Sequence, residues 1–595
     1  MSVLETPRIY FKGQVTWDPI VTNNYDTNYD ETTGATIYPS AADKVKAFRE
    51  QAVDAVATGN WNPHGTHRAT FFETKVCGFD LGTGTKTADP FVSAGASFEG
   101  MLVDLEPYGT FSSQLFFDSL CFGVDGGYRI LAPRTSRITA RYINFRRNSV
   151  NTFIAGVASV VWQTSFAKTD GLRIDAFDST ALKGLAAAMQ PDDIVGLTVR
   201  FNAYRTIYFD NADLTRGSPA GQAAAQALMA KLKSGGFQPN PARSLLVGVI
   251  GLWRKAEPGH EPDGRALTPI GNSALATAHA RVSATSLTID LANSVRETDK
   301  ILTKQDLGSL SIVAVDPATQ AAEPLGSIDY SQYNRAAYEA SAGIVTVQLP
   351  AGAAQNAVGR NLEVRDAAGT TLLSELAMRA VPAAPNLYLD EGQNVTATFQ
   401  VYDRGQPAAA SVPVTLFRVD AGGGKPDNGT PMTTDAKGVL SIPVAATAHG
   451  ITAYVPSFGA ADQPSGGINP LVNTYMYVRV RPADPDVAQA PPTWQNVYNK
   501  VLANWNAMAP CMDNWLKLDD PAQVTAYGAM LKRLTDPTRF EAFRFMPVTR
   551  DMSAGERTLL YKFLDAVKSE LELESIEAGP DGRSFAELSR SLRRG

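Results

Sequence analysis

The feature that most limits how this chain can fold is a series of short apolar runs, rich in β-branched and aromatic residues and cut apart by Gly, Pro, Asp and Asn. Such residues pack well on a pleated, half-buried surface, so the pattern predicts strands. In the first part the runs are Ile9–Trp17, Thr70–Phe79, Phe98–Leu105, Gln114–Val124, Arg137–Phe145, Ala158–Phe166 and Val195–Phe209. Three helix-like stretches interrupt them: Ala41–Val56, Ala181–Gln190 and Gly221–Lys233, the last with Leu228, Met229 and Leu232 on one side. Residues 1–240 are therefore expected to form an N-terminal β-rich domain, a mixed sheet, open or closed, with helices on its rim.

Residues 241–384 continue with Ser244–Trp253, Ala280–Leu291, Leu310–Val315 and Gly343–Leu349, and read as a second β-rich unit. The almost wholly apolar LLVGVIGLW predicts a strand buried on both faces, or a seam between the two units. Over 385–484 the strands are short, alternating and evenly spaced, with turn clusters such as GGGKPDNG, which predicts an immunoglobulin-like β-sandwich without a Cys–Trp–Cys framework. After the Pro-rich hinge at 482–492 the period changes. Trp494, Val497, Val501, Trp505 and Met508 recur at helical steps, as do Val524, Tyr527, Met530, Leu531 and Leu534. Ser553 and Glu556 form a capping box ahead of Leu559, Leu560, Phe563 and Val567. The fold class is mainly β and multi-domain, with mixed β-rich N-terminal units, the sandwich, and a small helical region over 493–595.

A chain of 595 residues exceeds what one hydrophobic core organises, in keeping with this division. Its 54 basic and 60 acidic residues leave a net charge of −6, with none of the concentrated basic surface that nucleic acid or an anionic membrane requires. No run approaches the roughly 20 apolar residues that span a bilayer. The start, MSVLETPRIYFKGQ, lacks the pattern of a secretory signal. Three cysteines, Cys77, Cys121 and Cys511, suit neither a disulfide framework nor a cysteine zinc site, so a cytoplasmic location is expected.

Chemistry-bearing patterns are few. Among five histidines one pair, His64 and His67, lies three apart, with Glu73 entering the next strand. Two imidazoles and a carboxylate can share a metal, but the same residues suit a polar loop that positions that strand. Asp26, Asn28 and Asp30 alternate as in a calcium loop, yet Glu31 stands where Gly is needed and Ile37 where Glu is needed, so a polar turn is expected. The densest basic group is Arg134, Arg137, Arg141, Arg146 and Arg147. Arg137 and Arg141 are an even number apart and would share a strand face, offering a carboxylate substrate or acidic partner two guanidiniums, or lying solvated. No G-x-S-x-G elbow or strand-set phosphate loop occurs.

Several stretches together resemble one family. PRIYFKGQ (7–14), VDLEPYGT (103–110), DDIVGLTVRFNAY (192–204), LVGVIGLWR (246–254), NLYLDEG (386–392) and FMPVTRDMSAGERTLLYKFL (545–564) are similar, in that order, to the N-terminal portion of the VioB- and RebD-type chromopyrrolic acid synthases, or iminophenyl-pyruvate dimer synthases. Those enzymes couple two oxidised tryptophan-derived imines. Family members continue into a ferritin-like helical domain suited to iron, which this chain is expected to lack. Its one Glu-x-x-His spacing, Glu257 to His260, encloses Pro258 and Gly259 and predicts a turn rather than a ligand-bearing helix.

The resemblance thus implies a β-rich scaffold, or a substrate- or partner-binding subunit, of an oxidative, bisindole-type natural-product system. It would act on a small aromatic substrate with a separate ferritin-like iron protein. Two alternatives stand beside it. One is a self-sufficient enzyme holding iron or haem near His64 and His67, and the other is a non-enzymatic structural or interaction protein.

Overall fold

The computed structural model describes residues 2–17, 29–30, 35–38, 40–47, 68–103, 114–133, 140–147, 158–207, 223, 242–262, 264–271, 273–296, 304–331, 334–420, 424–469, 471–508 and 516–570. Strands dominate, in several sheets, and the longer helices gather near the C-terminus.

Eight strands of the first part close into an antiparallel barrel. Around it run Gln114–Gly123, Ala96–Val103, Arg68–Asp80, Arg8–Trp17, Ala242–Arg254, Ile194–Ile207, Ala158–Ala167 and Ala140–Arg147. The ring shuts where Gln114 pairs with Arg141 and Leu115 with Ala140. Two short strands, Arg129–Pro133 and Arg173–Asp175, extend the sheet beyond Gln114–Gly123. Period-two alternation sends Phe11, Phe71, Phe98, Phe117, Trp162 and Phe201 inward, where they fill the core. Ring centroids lie 4.8 Å apart for Phe71 and Phe98 and 5.0 Å for Phe98 and Phe117. At Gly248 a β-carbon would lie 2.2 Å from the Phe11 ring, so only glycine lets that strand cross this ring. The helix Thr180–Ala188 covers one mouth, inserting Ala181, Leu182 and Leu185 into the same core. Ser179 caps it through Leu182 N–H at 3.1 Å and is itself held by Asp89 at 2.7 Å.

The second sheet has eight antiparallel strands between Arg265 and Glu375 around a separate aliphatic core. Its end strands, Ala322–Tyr330 and Ile344–Gln348, are not paired, yet a β-carbon on Gly326 would lie 2.5 Å from Val347 Cγ1, so the sheet curls nearly shut. Beyond it, a four-stranded and a five-stranded sheet face each other across Phe399, Val401, Leu440, Ile442 and Val478. In this sandwich Asn386–Asp390 runs parallel to Met476–Arg481.

The C-terminal helices share one core made of Val497, Val501, Trp505, Val524, Leu531 and Leu559, among others. The helical period beginning at Trp494 runs on to Met508 through a wider turn at Tyr498–Leu502. At the last helix the capping box is reciprocal. Ser553 N–H donates to Glu556 Oε2 at 2.8 Å, and Glu556 N–H donates to Ser553 Oγ at 3.0 Å. No helix among the described residues is long and apolar enough to cross a membrane.

Candidate functional site at one rim of the barrel and its seams

Strand direction sorts the barrel connections into two ends. Trp17 and Arg68, Val103 and Gln114, Arg147 and Ala158, and Ile207 and Ala242 all lie at the mouth opposite the helix Thr180–Ala188. The long connections therefore meet at one rim. His64 and His67 fall in the first of these connections and Arg137 in the separate stretch 134–139, and all three lie outside the described residues. Arg141 lies in the strand at the closure, its backbone in register with Gln114 on one side and Gln163 on the other. Glu73 sits well down its strand, five residues from Arg68, or about 16 Å at a rise of ~3.3 Å per residue. There it is exposed, on a bulge with φ 47°, opposite Gly13. Of the calcium-like trio only Asp30 is described, in the short pairing of Tyr29–Asp30 with Ala35–Thr36.

The connection that carries His64 and His67 is anchored at a distance. Thr36 N–H donates to Asn504 Oδ1 at 2.6 Å, and Tyr38 and Val45 pack on the helical core. Lys44, in a helical turn at 41–47, approaches Glu556. Thr36, Tyr38 and Val45 of this connection thus rest on the C-terminal helices, a link no local sequence pattern announces.

Two seams hold the barrel to the rest of the molecule. Toward the second unit its outer face is polar: Arg200 forms an ion pair with Asp290, both almost fully buried. Asn202 Nδ2 donates to Tyr338 Oη at 2.8 Å, and Tyr204 Oη donates to Glu339 Oε1 at 2.9 Å. Lys12 reaches the same carboxylate at 3.1 Å. Val247 and Val249 of LLVGVIGLW pack here, while Leu246, Ile250 and Leu252 face the barrel core. That run is buried on both faces because it is also a seam. Near Asp290, His279 meets an Arg379 guanidinium nitrogen at 3.2 Å. Burial, then the charges of Arg379 and Arg200, hold its pKa well below the usual imidazole range.

Toward the sandwich and the helices the barrel presents Met101, Val103 and Phe116. The Phe540 and Tyr388 rings pack tilted with centroids 4.8 Å apart, and the Phe543 N–H donates to Asp118 Oδ1 at 3.0 Å. The Tyr388 hydroxyl accepts from Gln114 Nε2, and burial pushes its pKa to about 12. Arg550 is wholly buried, its guanidinium carbon 3.5 Å from the Phe116 ring centre. Its nitrogens donate to the carbonyls of Phe540 at 3.2 Å, Val548 at 2.8 Å and Ala542 at 3.0 Å, and burial draws its pKa down to about 10. Next to it, Asp551 accepts from Thr549 Oγ1 at 2.7 Å and from the Trp505 indole at 3.2 Å. Sequence reading singled out none of Arg200, Asp290, Tyr388 or Arg550. The available signal was a charged or polar residue at alternate positions of an otherwise apolar strand, as in LTVRFNAY.

A sequence comparison adds a relative. The chain is 26% identical over 445 residues to the 2-imino-3-(indol-3-yl)propanoate dimerase of Chromobacterium violaceum. The chain resembles an indole-imine dimerase. The match takes in 70% of this chain, and the chain spans 38% of the length of that dimerase. No protein-family model matches. Among solved structures, the two tandem V-type regions of the chitin-binding protein VCBP3 are similar at 11% identity, over 34% of this chain and 98% of that one, with a TM-score of 0.13. The FN1–FN3 domains of chicken CNTN1 are similar at 9% identity, over 37% and 67%, also with a TM-score of 0.13. Overlaps that small carry no argument about this fold.

The stretches that bear the dimerase-like resemblance divide between core and seam. Tyr10, Arg200, Asn202, Tyr204, Val247, Val249, Tyr388, Phe545 and Arg550 lie on the seams, while Phe11, Val199, Phe201, Leu246 and Ile250 of the same stretches face the barrel core. Among the described residues no three His, Cys, Asp or Glu side chains gather as a metal site.

Proposed function

We propose that this chain is the β-rich scaffold of an imine-dimerising system, in which a ferritin-like iron module, on a separate protein, carries out the oxidative coupling of a small aromatic imino acid. The observation that supports this reading is the similarity to the dimerase, 26% identical over 445 residues and spanning 38% of its length. The helical region, fastened by Arg550 and by the segment at 35–47, is the docking platform for the iron module. The sandwich, read as immunoglobulin-like, serves as a spacer.

The test mixes the purified full chain with L-tryptophan, an L-amino-acid oxidase that generates the imine, and a ferritin-like iron protein encoded beside it. Expected are a stable complex and a dimeric product formed only when both proteins are present. Dimer produced by the chain alone, together with iron or a haem absorption band in the purified protein, would favour the self-sufficient reading centred on His64 and His67. Neither complex nor product would overturn both and leave a structural role.

A further inference from the structure

The first rim connection of the barrel is held on the C-terminal helices by few contacts. Thr36 N–H donates to Asn504 Oδ1, and the half-buried Tyr38 and Val45 lean on the margin of the helical core. Central residues of that core, Val497, Val524 and Leu559, are fully enclosed. The helical turn at 41–47 is exposed at Ala42, Asp43 and Lys46, and the hydroxyl of Thr36 is buried without a partner. Ser40 Oγ accepts from Asp43 N–H at 3.1 Å, and Lys44 N–H donates to the Ser40 carbonyl at 2.8 Å, so the turn is a unit of its own. A segment with so little buried apolar area, and with an unsatisfied hydroxyl, belongs to the low-stability end of a fold, where elements open separately.

The seat of this segment is polar. Beside Asn504 the Trp505 indole donates to Asp551 Oδ1, and Glu556 stands at the start of the last helix. Lys44 is the cation that faces Glu556 from the connection. Asp551 and Asp484 are the anions that face it from the chain around the helix start, and Ser553 N–H donates to its Oε2. Such a seat takes up water when it is uncovered, at less cost than an apolar one.

Both groups at the contact are displaced toward their uncharged forms. Burial above all, with Asp551 and Asp484, raises the pKa of Glu556 to about 8 against the pull of Ser553 N–H and Lys44. Burial lowers that of Lys44, and the nearby Glu556 offsets only part of the shift. The seated arrangement thus disfavours the two charges that water would stabilise.

We propose that residues 35–38 and 40–47 form a releasable strap between the barrel rim and the helical region, with Lys44 and Glu556 as its latch. Lifting the strap admits water to Glu556, so release is linked to loss of its proton. The Glu556 contribution to seating is full below the ordinary glutamate value of about 4.3 and is lost as pH climbs towards about 8. The Lys44 contribution runs the other way. It is full above the ordinary lysine value of about 10.4 and is lost as pH falls through the lowered one. Seating is therefore weakest in mild base, between the two. The inference rests on this contact and is independent of the imine-dimerising reading.

The test is hydrogen–deuterium exchange of the full chain between about pH 6.5 and about pH 8, corrected for intrinsic rates. Protection of the segment 40–47 should fall by up to about tenfold per pH unit, the slope of one proton, while that of the barrel strand Arg8–Trp17 stays level. Glu556→Gln should hold the strap's protection level over the same range. Lys44→Met removes the cation that favours ionised Glu556 and should move the fall to higher pH. Val45→Asp should strip protection from 40–47 at every pH without affecting Arg8–Trp17. In that variant the pH response of the helix Ala554–Glu570 should move to lower pH, because Glu556 regains water. No protection of 40–47 at any pH, protection that does not vary with pH, an equal fall in Glu556→Gln, or undiminished protection in Val45→Asp would overturn the proposal. If Glu556→Gln fails to fold, Val45→Asp, at the margin of the helical region, still decides.

Discussion

The two seams of the first barrel differ in what directs them. Against the second unit the barrel adds directional polar groups to an apolar patch, with the Arg200–Asp290 pair and Asn202 and Tyr204 beside Val247 and Val249. Against the sandwich and the helices it uses aromatic area, with Phe116 against the buried Arg550 and Phe540 against Tyr388 and Arg481. The first kind of seam is intolerant of a changed register, since its hydrogen bonds and ion pair are directional. The second gains its stability from burial and tolerates small shifts. The polar seam therefore sets how the units are aligned, and the aromatic seam sets how strongly they hold.

The largest expected effect breaks the polar seam. Asp290→Ala leaves Arg200 buried without its carboxylate and should destabilise the fold by about 3–5 kcal/mol in denaturant titration. The double change Arg200→Met with Asp290→Leu should recover most of that loss. If it does not, the pair contributes net energy and not only alignment. On the aromatic seam, Phe540→Ala should cost about 3 kcal/mol. Proteolysis should then release the helical region before the barrel opens.

The seams also differ in their response to pH. His279 is held neutral in the fold by burial and by Arg379 and Arg200. An unfolded histidine gains its proton near pH ~6.5, so the stability it contributes is full above that value and is lost as pH falls. Glu556 is the reverse case. Its carboxyl is enclosed enough that burial, with Asp551 and Asp484 nearby, raises its pKa to about 8, although Ser553 N–H and Lys44 pull the other way. Its contribution is full below the ordinary glutamate value of about 4.3 and is lost as pH climbs towards about 8. Hydrogen exchange corrected for intrinsic rates should show protection around Ala278–Val282 falling in acid, and around the helix Ala554–Glu570 falling in mild base. Glu556→Gln should flatten the second trend and leave the first. Both trends surviving in that variant would remove Glu556 as the cause.

The smallest effect concerns the hairpin turn at Arg404 and Gly405. Arg404→Gly relieves the positive φ and should stabilise the protein by about 0.5–1 kcal/mol in denaturant titration. A variant that is no more stable would mean that the bond to Asp403 already offsets the strain.

Much of the strand content was legible because alternation and β-branched residues act over a few neighbours. Barrel strands fall on the predicted runs at Arg8–Trp17, Gln114–Gly123 and Ala158–Ala167. The choice left between an open and a closed sheet resolves to closed, with every pairing antiparallel. The candidate sites were less legible. His64, His67 and Arg137 were picked by spacing, which says nothing of where a rim connection lies. Arg200 and Asp290 were not picked at all, because they are far apart in sequence and meet only where two units pack.

By itself the sequence determined the local elements: the strand runs, the change to helical period after the Pro-rich hinge, and the Ser553–Glu556 cap. Each depends on side chains within a turn or two of one another. Only the tertiary structure decided which face of a strand is a core and which is a seam. LTVRFNAY shows alternation, but nothing within it says that Arg200 will meet Asp290, or that Asn202 will meet Tyr338 across 136 positions of chain. Burial of one face is written into a strand's period. The identity of what buries the other face depends on contacts formed between distant segments, and those exist only once the chain has closed on itself.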